Sequence, residues 1–193
     1  MELALFPLKT VLLPGNKLPL KVFESRYTDM VASCLREDKP FGVVLIYRGD
    51  ETSSDADIYN IGTSARVVDW QNRDDGLLGI TCTGEQRFRV LGTRIQPDGL
   101  IVAEVELIED DCDVPVPDQY YYMAELLKHV SANKNEVQLR HDFNATMYQL
   151  IFLLPLSNQL KQQLLEVPVC HDRAMVLHAE LIRLGVIQYI KPG

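Results

Sequence analysis

The sequence predicts an α+β protein: a β-barrel-like first half with one embedded helix, then a small helical bundle. Three observations carry this. Up to Glu109, apolar residues alternate in short β-branched runs punctuated by proline and glycine. The acidic stretch DDCDVPVPD, Asp110 to Asp118, then breaks the pattern. From Gln119 onward apolar residues recur at helical spacing. The expected boundary divides the chain into 1–112 and 113–193.

In the first half, ELALF (Glu2–Phe6) alternates and reads as a strand ended by Pro7. KTVLL (Lys9–Leu13) is β-rich and stops at Pro14-Gly15, a turn dipeptide. KLPLKVF (Lys17–Phe23) puts Leu18, Leu20 and Val22 on one face and Pro19 on the other. Proline cannot donate a ladder bond, so this is an edge or crossing strand. Prolines thus fall where strands begin, end or lie uncovered, which is how small barrels blunt their edges.

Ser25 is expected as N-cap of a helix whose apolar face holds Tyr27, Met30, Val31, Cys34 and Leu35. Asp38-Lys39-Pro40 stops it. FGVVLIYRG is a β-branched strand, DETSSDADIYN a polar loop and IGTSARVVDWQ the next strand, turned by NRDDG. LLGITCTGEQRFRVLGTRI is one long strand or a bent pair, with bulges or corners expected at Gly79, Gly84 and Gly92. QPDG is a turn, and LIVAEVELIE is the last strand.

In the second half, Tyr120, Met123, Leu127 and Val130 line a first helix. Met147, Leu150, Ile151 and Leu154 line a second, ended by Pro155. Ser157 caps a third carrying Leu160 and Leu164. Asp172 caps a fourth, with Val176, Leu177, Leu181 and Leu184 inward and Gly185 as its stop.

Composition narrows the function classes. A net charge of −8 and a pI near 5.0 repel a phosphate backbone, which argues against nucleic acid as a partner. No signal peptide or membrane span is read, and a cytoplasmic location without membrane contact is expected. The apolar run Leu150–Leu156 is too short to span a bilayer and is broken by Pro155. Cys34, Cys82, Cys112 and Cys170 form no CxxC pair and read as free buried thiols, so no metal or redox cofactor is expected. No GxxxxGK[ST] phosphate loop occurs.

Several residues invite chemistry. His141-Asp142 and Cys170-His171-Asp172 look catalytic, but a nucleophile and its base meet through the fold and not as sequence neighbours. Asp142 and Asp172 fall at helix starts, where carboxylates cap backbone N–H groups. His129 and His178 lie in helices without a ligand at metal spacing. Glu24, Arg26, Arg87 and Arg89 are read as structural ion-pair residues, with Glu24–Arg87 the expected pair. Arg66, Arg87, Arg89 and Arg94 could alternatively line a basic strip for RNA. Peptide binding needs apolar surface that the core does not consume. The candidates are Leu12, Leu13, Pro14 and Lys17 in the proline hairpin, and Tyr120, Tyr121 and Tyr122, which cannot all face one core.

Ordered motifs also carry a resemblance. Phe6-Pro7-Leu8, Val11-Leu12-Leu13-Pro14-Gly15, Leu18-Pro19-Leu20, Phe23-Glu24 and Arg26-Tyr27 resemble the start of the Lon protease N-terminal domain. Ile61-Gly62-Thr63 with Ala65, Gly84-Glu85-Gln86-Arg87-Phe88-Arg89 and Ala103-Glu104-Val105-Glu106 continue the match. Ser25 departs from it, standing where many relatives have proline. The resemblance implies a PUA-like β-barrel followed by a helical bundle. It further implies a stand-alone, non-enzymatic substrate-recognition module without a cofactor. The implied ligand is unfolded or extended polypeptide, and a protease or other protein is the implied partner. An RNA-binding PUA-like module is the rival.

Overall fold

The computed structural model describes residues 1–51, 56–73, 76–110, 114–131 and 142–187. They fall into two compact units, Met1–Glu109 and Asp110–Gly193. Cys112, Asp113 and His141 lie outside the described residues.

The first unit holds β1 (Glu2–Leu8), β2 (Lys17–Val22), α1 (Ser25–Glu37), β3 (Phe41–Arg48), β4 (Asp57–Asn72), β5 (Leu78–Ile95) and β6 (Ile101–Ile108). The strands make one six-stranded mixed sheet in the order β2-β5-β4-β3-β1-β6, and β5 pairs with β6 as well. The length of β5 permits this. Leu78–Thr83 pairs with β2, and Arg87–Ile95 pairs with β6. Of these pairings only β1–β3 is parallel.

β1 and β3 are covered on both faces, which is why both read as nearly continuous apolar runs. Phe6, Leu8 and Val43 join Tyr27, Met30, Val31 and Cys34 of α1 in one core cluster. Leu3, Leu5 and Val44 join Phe88, Ile101, Ala103 and Val105 in another. The ring of Phe88 takes the space of two missing side chains. A Cβ on Gly42 would sit 2.8 Å from its Cζ, and one on Gly62 2.7 Å.

The structure corrects several expectations. β1 runs through Pro7, because its pairing with β6 ends at Leu5 and a missing N–H beyond that point costs no ladder bond on that side. Lys9–Leu13 is not a strand. It is irregular chain whose Val11, Leu12 and Leu13 are buried. β4 begins at Asp57, so the end of the expected polar loop is strand, paired to Ile46 and Arg48 across register shifts. Gly84 and Gly92 border register shifts, whereas Gly79 pairs regularly with both neighbours. Glu24 and not Ser25 is the N-cap residue of α1, and its side chain makes no cap bond. Leu35 is 42% exposed and leaves the core face of that helix.

The second unit holds a 3-10 turn (Asp118–Tyr120) and the helices α2 (Tyr121–Ser131), α3 (Phe143–Leu153), α4 (Asn158–Glu166) and α5 (Cys170–Arg183). Asp142 caps α3, accepting from the Ala145 N–H at 2.7 Å, and Ser157 caps α4 through the Leu160 N–H at 3.2 Å. Asp172 does not cap α5. It lies inside the first turn, where its charge still complements the helix dipole. Val176 is exposed, while Leu177 and Leu181 are buried. Gly185 adopts φ 68° and ends α5 by donating to the Ile182 carbonyl.

Burial has a consequence in alkali. It pushes the Cys82 thiol from an ordinary 9.0 up to about 12. It likewise pushes the Tyr27 hydroxyl from 10.0 up to about 12. Both groups stay neutral in the folded chain where they would ionise unfolded. Their contribution is therefore complete below the unfolded values and is lost as pH rises through the folded ones. The urea midpoint should hold to about pH 8.5 and fall steadily toward pH 12. A flat midpoint across that range would show these groups titrating alike in both states. Cys34, Cys82 and Cys170 are all buried and should react with a thiol reagent only on unfolding.

Candidate functional site

Among the described residues β2 pairs with β5 alone, which leaves its other edge open. Its side chains alternate as its sequence does. Leu18, Leu20 and Val22 pack toward the core, while Lys17, Pro19 and Lys21 are exposed on the opposite face. A groove of about 210 Å³ lies beside the strand. Its apolar lining comes from Phe6 and Leu8 of β1, Leu18, Leu20 and Val22 of β2, Phe23, and Tyr27 of α1. The rings of Phe6 and Tyr27 stack with centroids 4.1 Å apart, which gives the groove a rigid aromatic element. Phe23 is 61% exposed. A second hollow of about 250 Å³ joins Pro19, Leu20 and Lys21 to Trp70, Arg73 and Ile80. The open strand therefore has a hollow along either flank.

Of the residues expected to bind peptide in this region, Lys17 is exposed and stays available. Leu12, Leu13 and Pro14 are buried and do not. Their turn is fastened to β4 and β5. Thr63 Oγ1 donates to the Leu12 carbonyl at 2.7 Å, the Gly15 N–H to the Gly84 carbonyl at 2.8 Å, and the Gly84 N–H to the Asn16 carbonyl at 2.9 Å. Apolar residues this close to two strands are consumed as core.

The tyrosines divide three ways. Tyr120 is buried, stacked on Phe143 at 5.2 Å, with its hydroxyl 3.4 Å from His171 Nε2. Tyr122 is half-buried and its hydroxyl meets His178 Nδ1 at 2.5 Å. Tyr121 is 54% exposed, with the Lys128 ammonium 5.9 Å from its ring centre. Tyr121 is thus the exposed member of the three. His171 and His178 contact tyrosines, and Cys170 is fully buried. No group of three or more metal-ligating side chains occurs among the described residues. No helix among them is long and apolar enough to cross a membrane.

Glu24 pairs with Arg26 and not with Arg87. Its Oε2 lies 2.8 Å from Arg26 Nη2, within the entrance of α1, where pairing orders little additional chain. Arg26 also donates to the Gly99 carbonyl at 2.7 Å and lies over the Tyr27 ring at 4.7 Å. Glu24→Ala should cost about 1–3 kcal/mol, less than a fully buried pair, because Arg26 keeps those two contacts. An unchanged urea midpoint would show that the pair adds nothing. Arg87 is buried and Arg89 exposed, so the two do not share an environment. The basic strip does not assemble. Arg66 is held by Asp38 and Glu85, Arg94 by Glu2, and Arg87 is interior.

Sequence reasoning missed Arg173. It is fully buried in the second unit, donating to the Asn144 side-chain oxygen at 2.5 Å, the Val167 carbonyl at 2.7 Å and the Leu164 carbonyl at 3.0 Å. It also stacks on Tyr148 at 4.7 Å. The available signal was its position on the helix stripe of Cys170, Ala174, Leu177 and Leu181, where a charge must find partners.

Comparison with known proteins gives this geometry a context. The Lon N-terminal domain protein from Xanthomonas campestris superposes with a TM-score of 0.79 at 35% identity, covering 93% of this chain and 98% of that one. Lon protease 1 of Bdellovibrio bacteriovorus is 25% identical over 89% of this chain, which spans only 23% of that relative. The protein cereblon of Gallus gallus is 28% identical over 52% of this chain, spanning 22% of that relative. The family model of the ATP-dependent protease La (LON) substrate-binding domain matches residues 2–183, and the chain belongs to that family.

Proposed function

We propose that this chain is a non-catalytic substrate-recognition module that receives extended polypeptide along the free edge of β2. It acts in the cytoplasm, alone or as an adaptor to a protease or other protein partner, through a PUA-like first unit. The observation that carries this reading is the open strand with an apolar groove beside it. A chain laid on such an edge gains main-chain hydrogen bonds there and side-chain contacts in the groove. β2 has six residues, one of them proline, so the bonds are few. Ordering a flexible chain opposes them, and affinity should be about micromolar or weaker. Tyr121 offers a separate contact on the second unit.

The test is titration of a denatured, labelled protein against the full chain and its Phe23→Asp variant. Phe23 is exposed, so the variant should keep its melting temperature. Capture should weaken about tenfold if Phe23 anchors the bound segment. Equal affinity of variant and parent would remove the edge from the site. A structured RNA of matched length runs in parallel. Tight, salt-sensitive RNA binding without polypeptide capture would favour the nucleic-acid alternative.

A further inference from the structure

Lys17 and Lys21 are exposed, and neither side chain has a hydrogen-bond or ion-pair partner among the described residues. Most other cations of the first unit are engaged; among the described residues the exceptions are Arg48 and Arg89, which lie on other strands. Lys9 meets Asp50, Lys39 meets Glu37, Arg66 meets Asp38 and Glu85, and Arg94 meets Glu2. In a chain of net charge −8, two lysines with unpartnered ammonium groups on one strand with an open edge form a local concentration of positive charge.

We propose that the β2 edge selects an extended segment by charge: acidic side chains at two positions four residues apart, with apolar side chains beside each acid on the inner positions. This rests on the edge-binding reading above. Paired residues of neighbouring strands send their side chains to the same face of a sheet. Residues opposite Lys17 and Lys21 therefore stand beside the ammonium groups, about 13 Å apart along the strand. Residues opposite Leu18 and Leu20 turn toward the groove of Phe6, Leu8 and Tyr27. The central residue, opposite Pro19, is unconstrained. The groove also carries Glu24, whose charge is paired, and Glu51, which keeps its charge, so the inner positions disfavour acids. Glu24 pairs with Arg26, and Glu51 accepts from the Lys9 backbone N–H. A second copy of this chain is a poor occupant. Antiparallel pairing of two β2 edges in register would set Lys17 of one against Lys21 of the other, and like charges directly opposed destabilise a strand pair.

The experiment is fluorescence anisotropy with short labelled peptides and the full chain at low salt. The first peptide carries glutamate at the two outer positions and leucine at the two inner ones, around a central serine. The second replaces both glutamates by lysine. The glutamate peptide should bind about fivefold to tenfold tighter than the lysine peptide. The preference should shrink as salt screens the exposed charges. It should reverse in the Lys17→Glu/Lys21→Glu variant, whose exposed substitutions leave the melting temperature in place. Equal binding of both peptides, still weakened by Phe23→Asp, would overturn the charge selection and leave the edge reading standing. Binding of neither peptide, or binding indifferent to both variants, would overturn the edge reading together with the selection.

Discussion

Arg173→Ala should cost about 3–5 kcal/mol of folding free energy, the range seen when a buried charge network loses one partner. The guanidinium is fully buried and donates to three acceptors from different parts of the second unit: the Asn144 side chain and the Leu164 and Val167 carbonyls. Alanine removes a donor from all three, and a buried polar group that loses its partner costs about 1–3 kcal/mol. It also removes the cation from the Tyr148 ring, whose hydroxyl donates to Asp110 at 3.1 Å. Arg173→Lys keeps the charge but cannot reproduce the planar fork, so its loss should be intermediate. Urea denaturation measures the total, and hydrogen exchange should locate the loosening in α3, α4 and α5. A loss below about 1 kcal/mol would show that the network relaxes around water and does not hold the helices together.

Much of the fold was legible because burial leaves a periodic trace. Leu18, Leu20 and Val22 alternate and do pack inward, and Pro19 correctly marked a strand with an open edge. What sequence could not show was burial without periodicity. Val11, Leu12 and Leu13 form no strand, and their depth is set by contacts with Thr63 and Gly84, far along the chain. The residues that carry the family resemblance explain one another in the same way. Gly62 leaves room for the Phe88 ring, Thr63 holds the Leu12 carbonyl, and Gly84 admits the Leu13 carbonyl, which would stand 2.5 Å from a Cβ. These motifs hold the sheet and its turn. Phe23 adjoins β2 in the sequence, but Phe6, Leu8 and Tyr27, which complete the groove, reach it only through folding. Glu24 fails for the opposite reason. Its partner is Arg26, two residues away, and not the distant Arg87.

Leu13→Asp should abolish cooperative folding of the first unit, or leave it unfolded at moderate temperature. Leu13 was expected to be a surface contact for peptide, yet it is fully buried. Removing a buried leucine side chain costs about 2–5 kcal/mol in transfer and cavity terms. An isolated carboxylate in its place adds a desolvation penalty of several kcal/mol unless it takes up a proton. Typical domain stability is only about 5–15 kcal/mol, so the sum approaches the whole. The backbone cannot move aside. The Asn16 N–H donates to the Leu13 carbonyl at 3.1 Å, and Gly84 is bonded to both Gly15 and Asn16 of that turn. Under the proposed function, Leu13→Asp should lose polypeptide capture by a different route from Phe23→Asp. The first should lose sheet circular dichroism and binding together, whereas the second should lose binding alone. The two routes separate further with acid. Protonation relieves the buried charge, so Leu13→Asp should regain part of its stability as pH falls toward about 5, where the parent gains nothing comparable. A Leu13→Asp protein with the parent's melting temperature would mean that the Leu12–Gly15 turn opens to solvent, and would return Leu13 to the binding surface.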